Sequence, residues 1–167
     1  MMKRVIVVTL LLAALLPGTA VSQHLTAAEQ EVLDQSKKCW AAWSDSVLKK
    51  DLSIWLDTCR PTEDFAGWWT TVGALWGLEA ERRSFLPWAQ RIKAFTVENL
   101  QPLRIRVEGD HALMWFYAVY NIEDVSGRIV RSEDKRFEVF RRESGVWRWT
   151  GGMVSTTAIG NPGEEKK

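Results

Sequence analysis

Histidine is nearly missing from this 167-residue chain, which has only His24 and His111. A three-ligand metal centre draws on converging His, Cys or carboxylate groups, and Ser–His or Cys–His nucleophile pairs need an imidazole beside them. Neither arrangement is visible, so the sequence implies no metal and no cofactor. A surplus of one charge is missing too, with 22 Lys and Arg against 21 Asp and Glu. The two signs are interleaved along the chain, which argues against a nucleic-acid partner. No apolar run approaches the roughly 20 residues that a membrane-spanning helix takes. Cysteine is limited to Cys39 and Cys59, and there is no internal repeat or linker.

The chain opens on Lys3 and Arg4, followed by the apolar run Val5 to Leu16 and a Pro17-Gly18 break. Ala20-Val21-Ser22 then places small residues at the two positions a signal peptidase reads. Residues 1–22 therefore read as a signal peptide, and the protein is expected to be periplasmic or secreted, with no stable membrane span after cleavage. Removing them takes away Lys3 and Arg4, leaving 20 basic residues against 21 acidic ones. The expected layout is a single domain over 23–160 and a disordered, charged tail over 161–167. Outside the cytoplasm, two cysteines favour a disulfide. Cys39 and Cys59 flank Lys49 symmetrically, and a helical hairpin turning at Lys49-Lys50-Asp51 would set them side by side. Two buried thiols acting as small hydrophobes are the alternative.

Thr26-Ala27-Ala28-Glu29 is a capping box, so a helix is expected to begin there. Val32, Ser36, Cys39, Trp40, Trp43 and Val47 recur at steps of three and four and mark its buried face. Asp51 is expected to cap a second helix with Leu52, Trp55, Leu56 and Cys59 on one stripe, ended by Arg60-Pro61. The region from Thr62 to Phe95 is harder to read: Phe65 to Trp69 is aromatic without a clear period, and Gly67, Gly73 and Gly77 argue against one long helix. Ser84-Phe85-Leu86-Pro87 then reads as the opening of a further helix with Trp88, Ile92 and Phe95 on one side. From Leu103 onward the period becomes two. Strands are expected to Glu108, from His111 to Glu123, from Ile129 to Arg142 and from Val146 to Thr157. Helices first and a meander afterwards predict an α+β domain.

The closing hairpin, with Gly145 in its turn and then Trp147, Arg148 and Ser155, resembles that of the SnoaL-like, nuclear transport factor 2-like superfamily. The opening helix with Trp near its middle fits the same pattern. So do the Lys50-Asp51 junction, Pro61, the aromatic stretch Phe65 to Trp69, and Gly109-Asp110-His111-Ala112 before the central strand. The resemblance implies a cone-shaped fold in which N-terminal helices pack on a strongly bent antiparallel sheet around a pocket. The superfamily includes ketosteroid isomerase, scytalone dehydratase, limonene epoxide hydrolase and polyketide cyclases. Many relatives carry His between the Arg and the Ser, where this chain has Gly151 and Met153.

Tryptophan is the compositional outlier, with ten. Trp147 is expected in the core. Trp55, Trp69, Trp76, Tyr120, Trp149, Met153 and Ser155 are the expected lining of a pocket for a small hydrophobic molecule. If the chain is instead an isomerase, dehydratase or cyclase, the weak catalytic candidates are Glu63, Asp64, Tyr117 and Tyr120. Asp57 and Glu138 are further carboxylates, for which a solvated or cross-strand-paired position is expected. A buried carboxylate in hydrogen-bond reach of Tyr117 or Tyr120 inside a closed cavity would point to the enzyme. A dry aromatic cavity would point to binding, and a filled interior to a module that docks another protein. On the central strand Ala112, Met114, Phe116, Ala118, Tyr120 and Ile122 form one apolar face, and Leu113, Trp115, Tyr117 and Val119 form the other. Both need covering, which predicts a homodimer.

Overall fold

The computed structural model describes residues 24–69 and 74–158, leaving aside the side chains of 69, 74–76 and 158. The expected signal peptide (1–22) and charged tail (161–167) lie outside the described residues. Helix α1 (Ala27–Lys49) starts as the sequence predicts. Thr26 Oγ1 accepts from the Glu29 amide at 3.3 Å, and Glu29 Oε2 accepts from the Thr26 amide at 2.8 Å. The helix buries Val32, Ser36, Cys39, Trp40 and Val47. It stops at Lys50, whose left-handed φ of 59° turns the chain.

Helix α2 (Ser53–Cys59) begins one residue later than the sequence suggested. Asp51 caps it as expected: Leu52 already has helical dihedrals, and Asp51 Oδ1 accepts from the Ser53 amide at 2.9 Å. The hairpin has the expected geometry. Cys39 and Cys59 are bonded, with Cα atoms 5.1 Å apart across a sequence separation of 20. Closing a loop of that length in the unfolded chain contributes about 3 kcal/mol in the chain-entropy picture.

The unreadable stretch is a short hairpin, β1 (Ala66–Trp69) and β2 (Ala74–Gly77). Helix α3 (Leu78–Ala89) follows directly, with Gly77 as its N-cap and Glu79 and Glu81 in its first turn, where the helix dipole favours acids. The predicted helix opening at Ser84 is thus corrected. Pro87 sits in the last turn instead of the first, where its missing N–H removes the helical bond to the Arg83 carbonyl, and the helix stops two residues on. Ile92 and Phe95 belong to the next strand.

Four long strands complete the sheet: β3 (Ile92–Glu108), β4 (His111–Asp124), β5 (Ile129–Glu143) and β6 (Val146–Ala158). The strand order is β2-β1-β6-β5-β4-β3. The sheet is mostly antiparallel, as expected; β1 alone runs parallel to its neighbour β6, because the chain reaches β1 from the helical hairpin and not from a strand turn. Three register irregularities interrupt β3 against β4, and bulges of this kind bend a strand. Helix α1 lies over β3 and β4. Between helices and sheet lie Val32, Val47, Trp55, Phe85, Met114, Phe116 and Phe140.

A sharper constraint holds β1 against β6. Ala66 is opposite Gly151, whose φ is 152°. A Cβ on Gly151 would lie 2.0 Å from the Ala66 carbonyl oxygen. Gly151 also follows the one irregularity between β5 and β6, and its own carbonyl accepts the indole N–H of Trp149 at 2.7 Å. The glycine at this position is therefore demanded by the backbone of the neighbouring strand.

Candidate functional site

Strand β5 carries its polar residues inward. Ser132, Asp134, Glu138 and Phe140 are buried, while Phe137 and Val139, the residues an apolar-in pattern would bury, face the other side. Asp134 is opposite Ala118 on β4 and Thr156 on β6, and Glu138 is opposite Met114 and Gly152. The outcome is a row of alternating charge, Asp134–Arg136–Glu138, under the helices. Asp134 is 2% exposed and Glu138 4%.

Asp134 is held by three donors. Tyr120 Oη donates to Oδ1 at 3.0 Å, Thr156 Oγ1 donates to the same oxygen at 2.7 Å, and Arg136 Nη1 donates to Oδ2 at 3.0 Å. Arg136 also places Nε 3.6 Å from Glu138 Oε1, and its guanidinium lies 4.7 Å from the Trp40 ring centre and 6.0 Å from that of Trp149. Glu138 Oε2 accepts from Ser36 Oγ of α1 at 3.2 Å. Burial pushes the Glu138 carboxyl above the usual carboxylate range, against the pull of Arg136, Ser36 and Trp40. Burial, then the adjacent charge of Asp134 and the bond to it, raises the Tyr120 phenol as well, so Tyr120 stays a donor at any ordinary pH.

This row forms part of the wall of a cavity of about 670 Å³. The aromatic walls come from all the surrounding elements. Trp40 and Trp43 reach in from α1, Trp55 from α2, Phe85 and Trp88 from α3, and Phe95 and Trp149 from the sheet. The rings brace one another. Trp43 meets Trp55 edge-on at 5.6 Å, stacks on Trp88 at 5.8 Å and meets Phe85 at 5.5 Å, while Trp149 meets Phe65 at 5.0 Å. Exposed Pro87 and Arg91, with half-buried Glu81, Ser84 and Trp88, mark the α3 side as the mouth.

Of the residues expected to line the pocket, Trp55, Tyr120 and Trp149 do so. Met153 and Ser155 do not: β6 turns them to the opposite face, Met153 being 56% exposed, and gives Val154 and Thr156 to the cavity instead. The bulge at Gly151 sets that parity. Trp69 and Trp76 sit on β1 and β2, but their side chains lie outside the described residues. Among the catalytic candidates only Tyr120 reaches the cavity. Tyr117 faces the other side of β4, and Glu63 and Asp64 are exposed in the loop after Pro61, with Asp64 3.4 Å from Arg141. Asp57 is exposed, as expected; Glu138 faces Arg136, one of the partners expected for it along with Arg148 or a neighbour, but along its own strand, and it is buried where a solvated position was expected. Sequence reasoning passed over Asp134, Arg136 and Thr156 as site residues. Their shared parity with Phe140 and Val154 was the available signal. Among the described residues, no group of three or more His, Cys, Asp or Glu could hold a metal ion.

No protein-family model and no curated protein matches the sequence. Solved structures do resemble it. A conserved protein from Planctomyces limnophilus DSM 3776 has a TM-score of 0.66 at 16% identity, over 80% of this chain and 98% of its own. A nuclear transport factor 2-like superfamily protein from Salmonella enterica serovar Typhimurium LT2 has 0.61 at 17%, over 81% and 95%. The association domain of CaMKII from C. elegans has 0.56 at 17%, over 77% and 95%. The chain therefore has the α+β, nuclear transport factor 2-like fold that the hairpin residues suggested.

Proposed function

We propose that the protein binds a small molecule whose apolar body fills the tryptophan-walled cavity and whose polar end meets the Asp134–Arg136–Glu138 row. One observation carries this reading: an open space of about 670 Å³ that is aromatic along its walls and charged along one side. Small-molecule pockets occupy a similar range, about 300–1,000 Å³, with a few polar groups fixing orientation. Desolvating two carboxylates and a guanidinium costs several kcal/mol per ion, which a merely structural core would avoid. The test uses N-phenyl-1-naphthylamine, a neutral apolar dye that brightens on leaving water. Wild type is expected to bind one equivalent. Ser84→Trp, which adds bulk at the mouth, is expected to weaken binding about ten-fold or more at unchanged melting temperature. Equal binding by both proteins would place the dye elsewhere and sink the reading.

A second reading is favoured by the hydrogen bond between Tyr120 and Asp134 inside the cavity. A buried carboxylate next to a tyrosine is an acid–base arrangement, and it separates an enzyme from a passive binder. Both oxygens of Asp134 already accept hydrogen bonds, so Glu138, with its raised pKa, is the proton-transfer group in this reading. Proton exchange at an activated carbon of a bound ketone, followed by deuterium incorporation, should fall to background in Glu138→Gln; equal rates would exclude it.

Outside the cavity, Trp115, Phe137, Met153 and Trp68 stand side by side across β4, β5, β6 and β1 on the outer face. Trp68 is 44% exposed, and Trp115 and Phe137 are in ring contact at 5.0 Å. We propose a second copy of the chain as its cover, a reading supported by the CaMKII association domain sharing the fold. Light scattering at tens of micromolar should give a dimer that Met153→Glu splits; a wild-type monomer removes the proposal. Export is proposed on the strength of the basic–apolar–small opening segment and the disulfide. Protein recovered from the host envelope or medium should begin at Gln23, and an intact Met1 would contradict it.

A further inference from the structure

The charge inside the cavity is unequal. Two buried carboxylates, Asp134 and Glu138, face the guanidinium of one half-buried arginine, and that guanidinium is already engaged on every side the geometry shows. Arg136 gives Nη1 to Asp134, directs Nε to Glu138 and lays its face on Trp40. An anionic molecule entering from the α3 side would therefore meet no spare positive charge at the inner end. It would meet carboxylates instead. The other charged groups of the lining, half-buried Glu81 and exposed Arg91, oppose each other at the mouth and leave the imbalance unchanged.

The walls point the same way. Trp43, Trp55 and Trp88 form a braced set of indoles, and an indole face attracts a cation more strongly than any other side-chain ring, most of all when water is excluded. The protein already uses this pairing once, with its own guanidinium against Trp40. A cavity with several electron-rich faces and one unbalanced carboxylate has a definite preference.

We propose that the cavity selects a small organic cation, an amine carried on an aromatic or alicyclic body, over neutral and anionic molecules of the same shape. This rests on the pocket reading above and goes further in naming the charge of the occupant. The ammonium group points to Glu138, and the aromatic or alicyclic body, which shares its positive charge, lies among the indoles of Trp43, Trp55 and Trp88.

Three molecules that share an indole ring isolate the charge: tryptamine, indole-3-ethanol and indole-3-acetate. Calorimetry on the full mature chain at neutral pH, with displacement of N-phenyl-1-naphthylamine as the second readout, should rank them amine, alcohol, acid. The amine is expected to bind about ten-fold or more tighter than the alcohol. Glu138→Gln keeps the shape and removes the charge, and should bring the amine-to-alcohol ratio down toward one. If the dye binds wild type but the alcohol or the acid equals the amine, the cation inference is wrong and the pocket reading stands. If neither the dye nor the amine binds, the pocket reading falls and takes this inference with it.

Discussion

Replacing Gly151 by alanine is expected to remove about 3 kcal/mol or more of folding stability. Two separate causes add. The backbone there has φ 152°, a region that L side chains rarely adopt, and the new Cβ would lie 2.0 Å from the Ala66 carbonyl oxygen. The obstruction is backbone, so no rotamer change relieves it. Relief requires β1 to move away from β6, which breaks the parallel ladder and displaces Phe65, the cavity residue just before β1. Urea denaturation of the two proteins checks this, with binding of the naphthylamine dye measured beside it. A loss below about 1 kcal/mol would mean that β1 is not held as closely as described. The alanine variant should also lose dye affinity, because one wall of the cavity goes with the strand.

Replacing Arg136 by methionine should destabilise the fold by about 3–5 kcal/mol at neutral pH, the usual cost of leaving a buried charge without its partner. Methionine keeps much of the volume and packing against Trp40, so the loss reports charge. Asp134 retains Tyr120 and Thr156 as donors, whereas Glu138 is left with Ser36 and Trp40. The penalty has a predictable pH dependence. Glu138 already holds its proton more tightly than an exposed carboxyl, and without Arg136 it holds it tighter still. Stability tied to a raised carboxyl pKa is present at low pH and lost as pH rises through the folded value. The deficit of Arg136→Met relative to wild type should therefore shrink on acidification from pH 7 towards the ordinary carboxylate range. Chemical denaturation at several pH values measures it, and a deficit that stays constant with pH would show that lost packing, not charge, is the cause.

These two sites differ in how far the sequence revealed them. The meander from His111 to Ala158 was legible because its strands alternate and its turns carry Gly109, Gly127 and Gly145 at positive φ. The capping box fixed the first helix, and the symmetric cysteines fixed the hairpin. Strands β1 and β2 were not legible, since four-residue strands rich in Gly and Trp have no period to read. Strand β5 misled for a more specific reason. Phe137 and Val139 look like an inward face, which casts Asp134, Arg136 and Glu138 as solvated, yet the parity is the reverse. A strand whose polar side lines a cavity and whose apolar side faces outward breaks the binary pattern, and such breaks are expected at functional sites. Gly151 was read from sequence as a position emptied of a catalytic histidine. The structure gives it a reason of its own, the approach of Ala66.

The irregular pairing of β3 has a consequence for how the protein behaves in concentrated solution. β3 is one outer margin of the sheet and, at 17 residues, offers a long line of backbone groups to any passing strand. Such a margin seeds filaments when it is straight and apolar. Here three breaks in register, Pro102 and the exposed charges Lys93, Arg104, Arg106 and Glu108 spoil it as a template. The opposite margin, β2, is only four residues long. With both margins blunted, this sheet cannot readily lengthen strand by strand into insoluble aggregates, even though its outer face is rich in aromatic rings.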